Sequence, residues 1–160
     1  MKVDYHVHTQ FSDDSDYAME NVIQDAIAIG LDEICFTDHV DYGIKKDWDE
    51  PGEMIYRKGG AGEPEEMPLA NVHYPTYYET FQEMRALYGD EISLKLGLEF
   101  GMQVHTIEKY EKLFARFPFD FIILSVHEVE DKEFWNQEFQ KDKTQQEYIG
   151  RYYEELLYLV

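Results

Sequence analysis

Short apolar strands alternate with amphipathic helices along this chain, and that alternation limits the available folds more than any other feature. Residues 2–6, 33–37, 93–98 and 120–125 are short, rich in Val, Ile, Leu and Phe, and read as strands. Helical spacing fills the gaps. Residues 17–29 place Val22, Ile23, Ala26, Ile27 and Ile29 at intervals of three and four, and Gly30 supplies a stop. Residues 77–88 open with Thr76 and Glu79 as a capping-box pair, bury Phe81, Met84, Leu87 and Tyr88, and stop at Gly89. Residues 107–117 run from Thr106 to Pro118. Residues 145–160 follow the Thr144/Glu147 capping box with Ile149, Tyr152, Tyr153, Leu156, Leu157 and Val160 in period. Such an order predicts an α/β fold with parallel strands and right-handed crossovers.

Every one of these strands carries a His or Glu at, or just past, its C-terminal end. The ends read "DYHVH", "CFTDH", "GLEFG" and "LSVHE", which place His6 and His8, His39, Glu99 and His127. In parallel α/β folds these ends share one rim, where active sites form. His6 and His8, two apart on a strand, face the same side. Imidazole and carboxylate together suit Zn, Mn or Fe, and no thiolate is offered. Asp14, on the loop after the first strand, is a natural further ligand, and a carboxylate such as Glu99 can bridge two ions. Asp13 and Asp16 read equally well as ligands or as an acidic turn capping the first helix. His73 and His105 lie off the strand ends and read as ordinary loop and helix-start residues.

Composition narrows the function. The chain holds 34 acidic and 14 basic residues, a net charge of −20, which repels nucleic-acid phosphates. An anionic small substrate would need local positive charge, which divalent cations can supply. No apolar run is long enough for a membrane span, and the first residues lack the apolar stretch of a signal peptide. The single cysteine, Cys35, sits in an apolar run and reads as a buried thiol, consistent with a reduced cytoplasmic setting. Residues 43–75 form one long connection, of a length usual for lids and binding loops. No internal repeat and no domain boundary is visible. The last helix keeps full apolar amplitude to Val160, which gives the look of a chain stopping partway through a larger fold.

The stretches "DYHVHTQFSDDS", "GLDEICFTDHVDYG", "LKLGLEFGM" and "FDFIILSVHEV" resemble the PHP (polymerase and histidinol phosphatase) superfamily, and within it the histidinol-phosphate phosphatases of histidine biosynthesis. The resemblance implies a distorted (β/α)7 barrel, here cut to about four β/α units of a single domain over residues 1–160, with up to three divalent metals (Zn, Mn or Fe) on the C-terminal rim. It implies His6, His8 and Glu99 around one metal, Glu99 and His127 around a second, and Asp14 and His39 around a third, with Glu99, His127 and His39 in the catalytic role. The family reaction hydrolyses L-histidinol phosphate to L-histidinol and phosphate, and residues 43–75 would cover this small phosphorylated substrate. The family pattern continues with a Gly-His-x-Asp strand end, a substrate-binding Arg and a late Asp-x-His, none of which occurs within residues 1–160. A homo-oligomer or a complementing chain is therefore expected to complete the barrel. Two other readings are a different PHP phosphoesterase and a non-catalytic metal-binding fragment.

Overall fold

The structure is a computed structural model that describes residues 1–58 and 65–160. In chain order the elements are β1 (Val3–Val7), α1 (Met19–Ala28), β2 (Glu33–Phe36), β3 (His39–Val40), β4 (Tyr56–Lys58), β5 (Glu66–Pro68) and α2 (Tyr74–Tyr88). There follow β6 (Ser93–Gly101), a 3-10 turn (Val104–Thr106), α3 (Ile107–Phe114), β7 (Phe121–Ser125), β8 (Glu128–Val129), β9 (Lys132–Glu133) and α4 (Gln145–Leu159). The chain forms two compact units. The first takes Met1–Val40, Val72–Glu99 and Phe114–Ile123, and the second takes Asp41–Asn71, Phe100–Leu113 and Leu124–Val160. Each unit is assembled from three separate segments, so no single linker or shift in composition marks the division.

The main sheet runs β1-β2-β6-β3, with β7 also paired to β6. β1 pairs β2 in parallel and β2 pairs β6 in parallel, as the alternation predicts. β6 is buried along nearly its whole length, the mark of a strand covered on both faces. In the first unit α1 buries Met19, Ile23 and Ala26, and α2 buries Tyr74, Tyr77, Phe81 and Met84. Phe81 meets Phe36 of β2 edge-on at a centroid distance of 6.3 Å. Burying a side chain of this kind contributes roughly 1.5–3 kcal/mol. Cys35 is fully buried, and that burial pushes its thiol up to about 12.

Two helix starts differ from the sequence pattern. α2 begins at Tyr74, with Pro75 in its first turn and His73 at the N-cap. Proline is pre-organised for that position, so it starts the helix rather than preceding it. Thr76 instead meets the His73 ring at 2.7 Å, and Leu87 is exposed. The N-cap of α1 is Ala18 with no side-chain cap, so neither Asp13 nor Asp16 takes that role. By contrast, the Thr144/Glu147 capping box opens α4 as expected.

The second unit carries two antiparallel hairpins, β4–β5 and β8–β9. The expected long loop, residues 43–75, thus contains β4, β5 and the start of α2, while its residues 59–64 lie outside the described residues. The β8–β9 turn is Glu130-Asp131, both at positive φ (58° and 55°), the backbone that a two-residue hairpin needs. Gln103 holds Asp131 there. It accepts from the Asp131 backbone N–H at 2.9 Å and donates to its carboxylate at 2.9 Å. Val126, Val129 and Phe139 form a core against Phe134, Tyr148, Tyr152, Leu156 and Leu159. Ile149, Tyr153, Leu157 and Val160 of the expected apolar stripe are exposed. Among the described residues, no helix is long and apolar enough to cross a membrane.

Gly97 sits where β6 is most crowded. A Cβ there would lie 2.6 Å from the Phe121 carbonyl oxygen, 2.9 Å from the Phe36 carbonyl oxygen and 2.9 Å from Cys35 Sγ. Two of these neighbours are backbone and cannot swing aside. Gly97→Ala is expected to cost about 1–3 kcal/mol, the usual range for overpacking, read as a lower midpoint in urea unfolding.

Candidate metal centre

The first unit gathers five of the six expected site residues. His6 and His8 come from β1 and the residue after it, His39 from β3, and Glu99 from β6. Asp14 comes from the connection between β1 and α1. His6 Nε2 lies 2.8 Å from Glu99 Oε2, and His8 Nε2 lies 3.1 Å from the same oxygen. On its other side His8 Nδ1 meets Asp14 Oδ2 at 2.7 Å, and His39 Nε2 is 3.3 Å from that oxygen. The His8 and His39 rings stack edge-on with centroids 4.5 Å apart. Ligand atoms of His6, His8 and Glu99 all fall within 4.8 Å of one another, and so do those of His8, Asp14 and His39.

Backbone-to-side-chain bonds fix this arrangement. Buried Asp38 accepts from the Thr9 backbone N–H at 2.7 Å and from the Thr9 hydroxyl at 3.0 Å. The His39 backbone N–H donates to Ser12 Oγ at 2.8 Å, and Glu99 N–H donates to the Asp38 carbonyl at 3.1 Å. The loops after β1 and β2 are thereby tied together, with β6 against them. Burial raises the Asp38 carboxyl above its ordinary value, and the bonds from Thr9 and Ser12 offset part of that rise. The strand-end pattern of His and Glu does not single out Thr9, Ser12 and Asp38. Their signal is a polar residue, "TD" or "TQFS", next to a strand-end histidine.

The donor set fits divalent transition metals. Three imidazoles and two carboxylates converge, Glu99 is only 4% exposed, and His8 Nε2 is sealed from solvent with no hydrogen bond of good geometry. A buried ring nitrogen and a buried carboxylate aimed at one point suit a cation.

His127 belongs to the second unit, where its Nδ1 lies 2.7 Å from Asp41 Oδ1. Asp41, His127 and Glu128 also bring ligand atoms within 4.8 Å. Glu128 is a poor ligand as it stands: burial, reinforced by Asp41, pushes its carboxyl up to about 9. His105 meets Asp131 at 3.0 Å and His73 meets Thr76, and among the described residues neither falls in a group of three or more candidate ligands.

Residues 4–160 match the family described as the PHP domain. The chain belongs to that family. It is 32% identical over 154 residues to the histidinol-phosphatase of Lactococcus lactis subsp. lactis (strain IL1403), covering 92% of this chain and 49% of that protein. It is 26% identical over 149 residues to a Deinococcus radiodurans protein named "Probable histidinol-phosphatase", covering 93% of this chain and 51% of that one. The crystal structure of the Lactococcus lactis histidinol phosphate phosphatase, in complex with Zn, L-histidinol and phosphate, superposes with a TM-score of 0.77. That match spans 98% of this chain and 52% of the other, at 32% identity. The α/β fold with its parallel sheet is thus that of a PHP histidinol phosphatase, and the chain spans about half the length of the curated relatives it matches.

Protons compete with metal for this PHP site. Burial lowers the pKa of His8, but Asp14 and Glu99 outweigh it and push the ring up to about 10. Burial raises the pKa of Asp14, but His39 and His8 outweigh that and hold it well below the usual carboxylate range. In the metal-free protein the His8 contribution to stability is complete below its ordinary value of 6.5 and is lost as the pH rises through about 10. The Asp14 contribution is present above its ordinary value of 3.8 and is lost as the pH falls below it. A metal on His8 must displace the ring proton. Zn²⁺ affinity is therefore expected to rise roughly tenfold per pH unit below about 10 for one displaced proton. Calorimetry in buffers of different ionisation enthalpy checks this, and binding without proton release would remove His8 from the ligand set. In the same assay Glu99→Ala is expected to lower bound metal while His105→Ala leaves it unchanged.

Proposed function

We propose that this chain carries the metal centre of a phosphoric monoester hydrolase of the histidinol-phosphatase type, acting on L-histidinol phosphate in histidine biosynthesis. The observation that supports it most is the convergence of His6, His8, Asp14, His39 and Glu99 in one unit of a PHP chain. Divalent ions held by these residues would supply Lewis acidity toward phosphoryl oxygens and would lower the pKa of water, making hydroxide available as the nucleophile near neutral pH.

The protein's own residues set the terms of that chemistry. Glu99, whose Oε2 lies 2.8 Å from His6 and 3.1 Å from His8, would be the carboxylate ligand shared with these two rings. Asp14 and His39, with His8 beside them, would hold a further ion. His127 is assigned as a further ligand from the "SVHE" strand end. Zn is the first candidate ion, because the imidazole-rich set suits it and the similar solved structure contains it. In a chain of net charge −20, these cations are also the groups that let an anionic substrate approach.

One observation favours a second reading. The curated relatives are about twice as long as their matched part, so the chain by itself reads equally as a metal-binding fragment without turnover.

Metal content per chain, measured by elemental analysis beside phosphate release from L-histidinol phosphate, separates the readings. Two or three transition metals with turnover, and little release from nucleotides or sugar phosphates, support the hydrolase reading. Metal without turnover supports the fragment reading. A chain that binds no metal overturns both.

A further inference from the structure

The second unit holds a buried Lys-Asp-His chain that the metal ligands alone do not require. Asp41 Oδ1 lies 2.7 Å from His127 Nδ1, and Asp41 Oδ2 lies 2.7 Å from Lys45 Nζ. The side chains of Asp41 and Lys45 are 8% and 6% exposed. The Asp41 backbone N–H donates to Asn71 Oδ1 at 2.9 Å, and Asn71 donates in turn to Asp47 at 3.0 Å. Gly101 closes over the contact. A Cβ there would lie 2.1 Å from Asp41 Oδ1 and 2.6 Å from His127 Nδ1, so only glycine leaves room for the pair.

We infer that Asp41, anchored by Lys45, is a positioning residue that fixes the His127 ring in its Nδ1–H tautomer and so presents Nε2 as the metal-binding nitrogen. The inference rests on the assignment of His127 as a ligand. A carboxylate paired with an ammonium can only accept, so the ring nitrogen facing it carries the proton. In neutral imidazole the lone pair then resides on Nε2. An anionic acceptor behind the ring also increases the basicity of that nitrogen, the usual gain from a carboxylate behind a ligating histidine. Lys45 supplies the countercharge that lets Asp41 stay buried and fixed in orientation, and Asn71 and Gly101 leave it little freedom to turn away. A plain structural ion pair would hold the fold but would not depend on which ring nitrogen bears the proton.

Long-range ¹H–¹⁵N spectra of the unaltered chain report the His127 tautomer directly. The Nδ1–H form is expected, and an Nε2–H form overturns the inference. Zn²⁺ affinity, measured by competition with a chromophoric chelator, is then compared among the wild type, Asp41→Asn and His127→Ala, with circular dichroism as the check on folding. Asp41→Asn is expected to weaken Zn²⁺ binding roughly 10–100-fold and to mix the tautomers, with the fold retained. If His127→Ala weakens binding and Asp41→Asn matches the wild type in affinity and tautomer, the positioning role is refuted while the ligand assignment stands. If His127→Ala leaves affinity unchanged, the ligand assignment fails and the inference falls with it.

Discussion

Parallel strands end on the same side of their sheet, and β1, β2 and β6 pair in that sense. The first unit depends on this constraint. It carries His6 and His8, the loop into His39, and Glu99 to a common edge, although His6 and Glu99 are 93 residues apart in sequence. The pairing in turn depends on close approach at Gly97, where carbonyl groups from β2 and β7 press on β6. Tyr77 of α2 bonds the Gly97 carbonyl at 3.0 Å, so the helix layer and the sheet are locked at the same place. A site made of short, stiff side chains needs such a rigid platform, because a ligand displaced by about an ångström no longer binds.

Buried carboxylates are the second theme, and each is stabilised differently. Asp38 takes hydroxyl and backbone donors from Thr9. Asp41 takes an ammonium and an imidazole. Glu155, the buried residue of α4, accepts from the Val104 backbone N–H at 2.7 Å and from Arg151 at 2.8 Å. Burial, reinforced by Asp41, pushes the Glu128 carboxyl up to about 9 against the opposing pull of His127 and Lys45. Glu99 is set among imidazoles, each of which in its neutral form offers one N–H donor and one ring lone pair suited to a metal. That difference separates Glu99 from the structural acids and marks its surroundings as a place for cations.

Much of this was legible in the sequence. Strand ends can be read because short apolar runs stop where polar residues begin, so His6, His8, His39, Glu99 and His127 stand out as candidates by position. The Thr144/Glu147 box was legible because both partners are local. The β8–β9 hairpin was not. Its turn is Glu130-Asp131 rather than a glycine-bearing pair, and its positive φ angles are held by Gln103, a residue remote in sequence. α2 starts earlier than its Thr/Glu capping pattern predicts, because that pattern competes with Pro75 and the proline's fixed φ prevails. The interleaving of two units left no trace, since each is closed by contacts between segments distant in sequence.

The sequence by itself determined the α/β class, the parallel order of the central strands and the chemical nature of the site, because these follow from local periodicity and from residue type at strand ends. Tertiary structure alone decided which polar residues support the candidate ligands. Asp38 holds the loops behind His8 and His39, Asp41 backs His127, and Glu155 supports a 3-10 turn rather than lining a solvated face. The physical reason is that a carboxylate's role depends on its burial and on the donors within about 3 Å of it. Neither is encoded in the residues next to it in the chain.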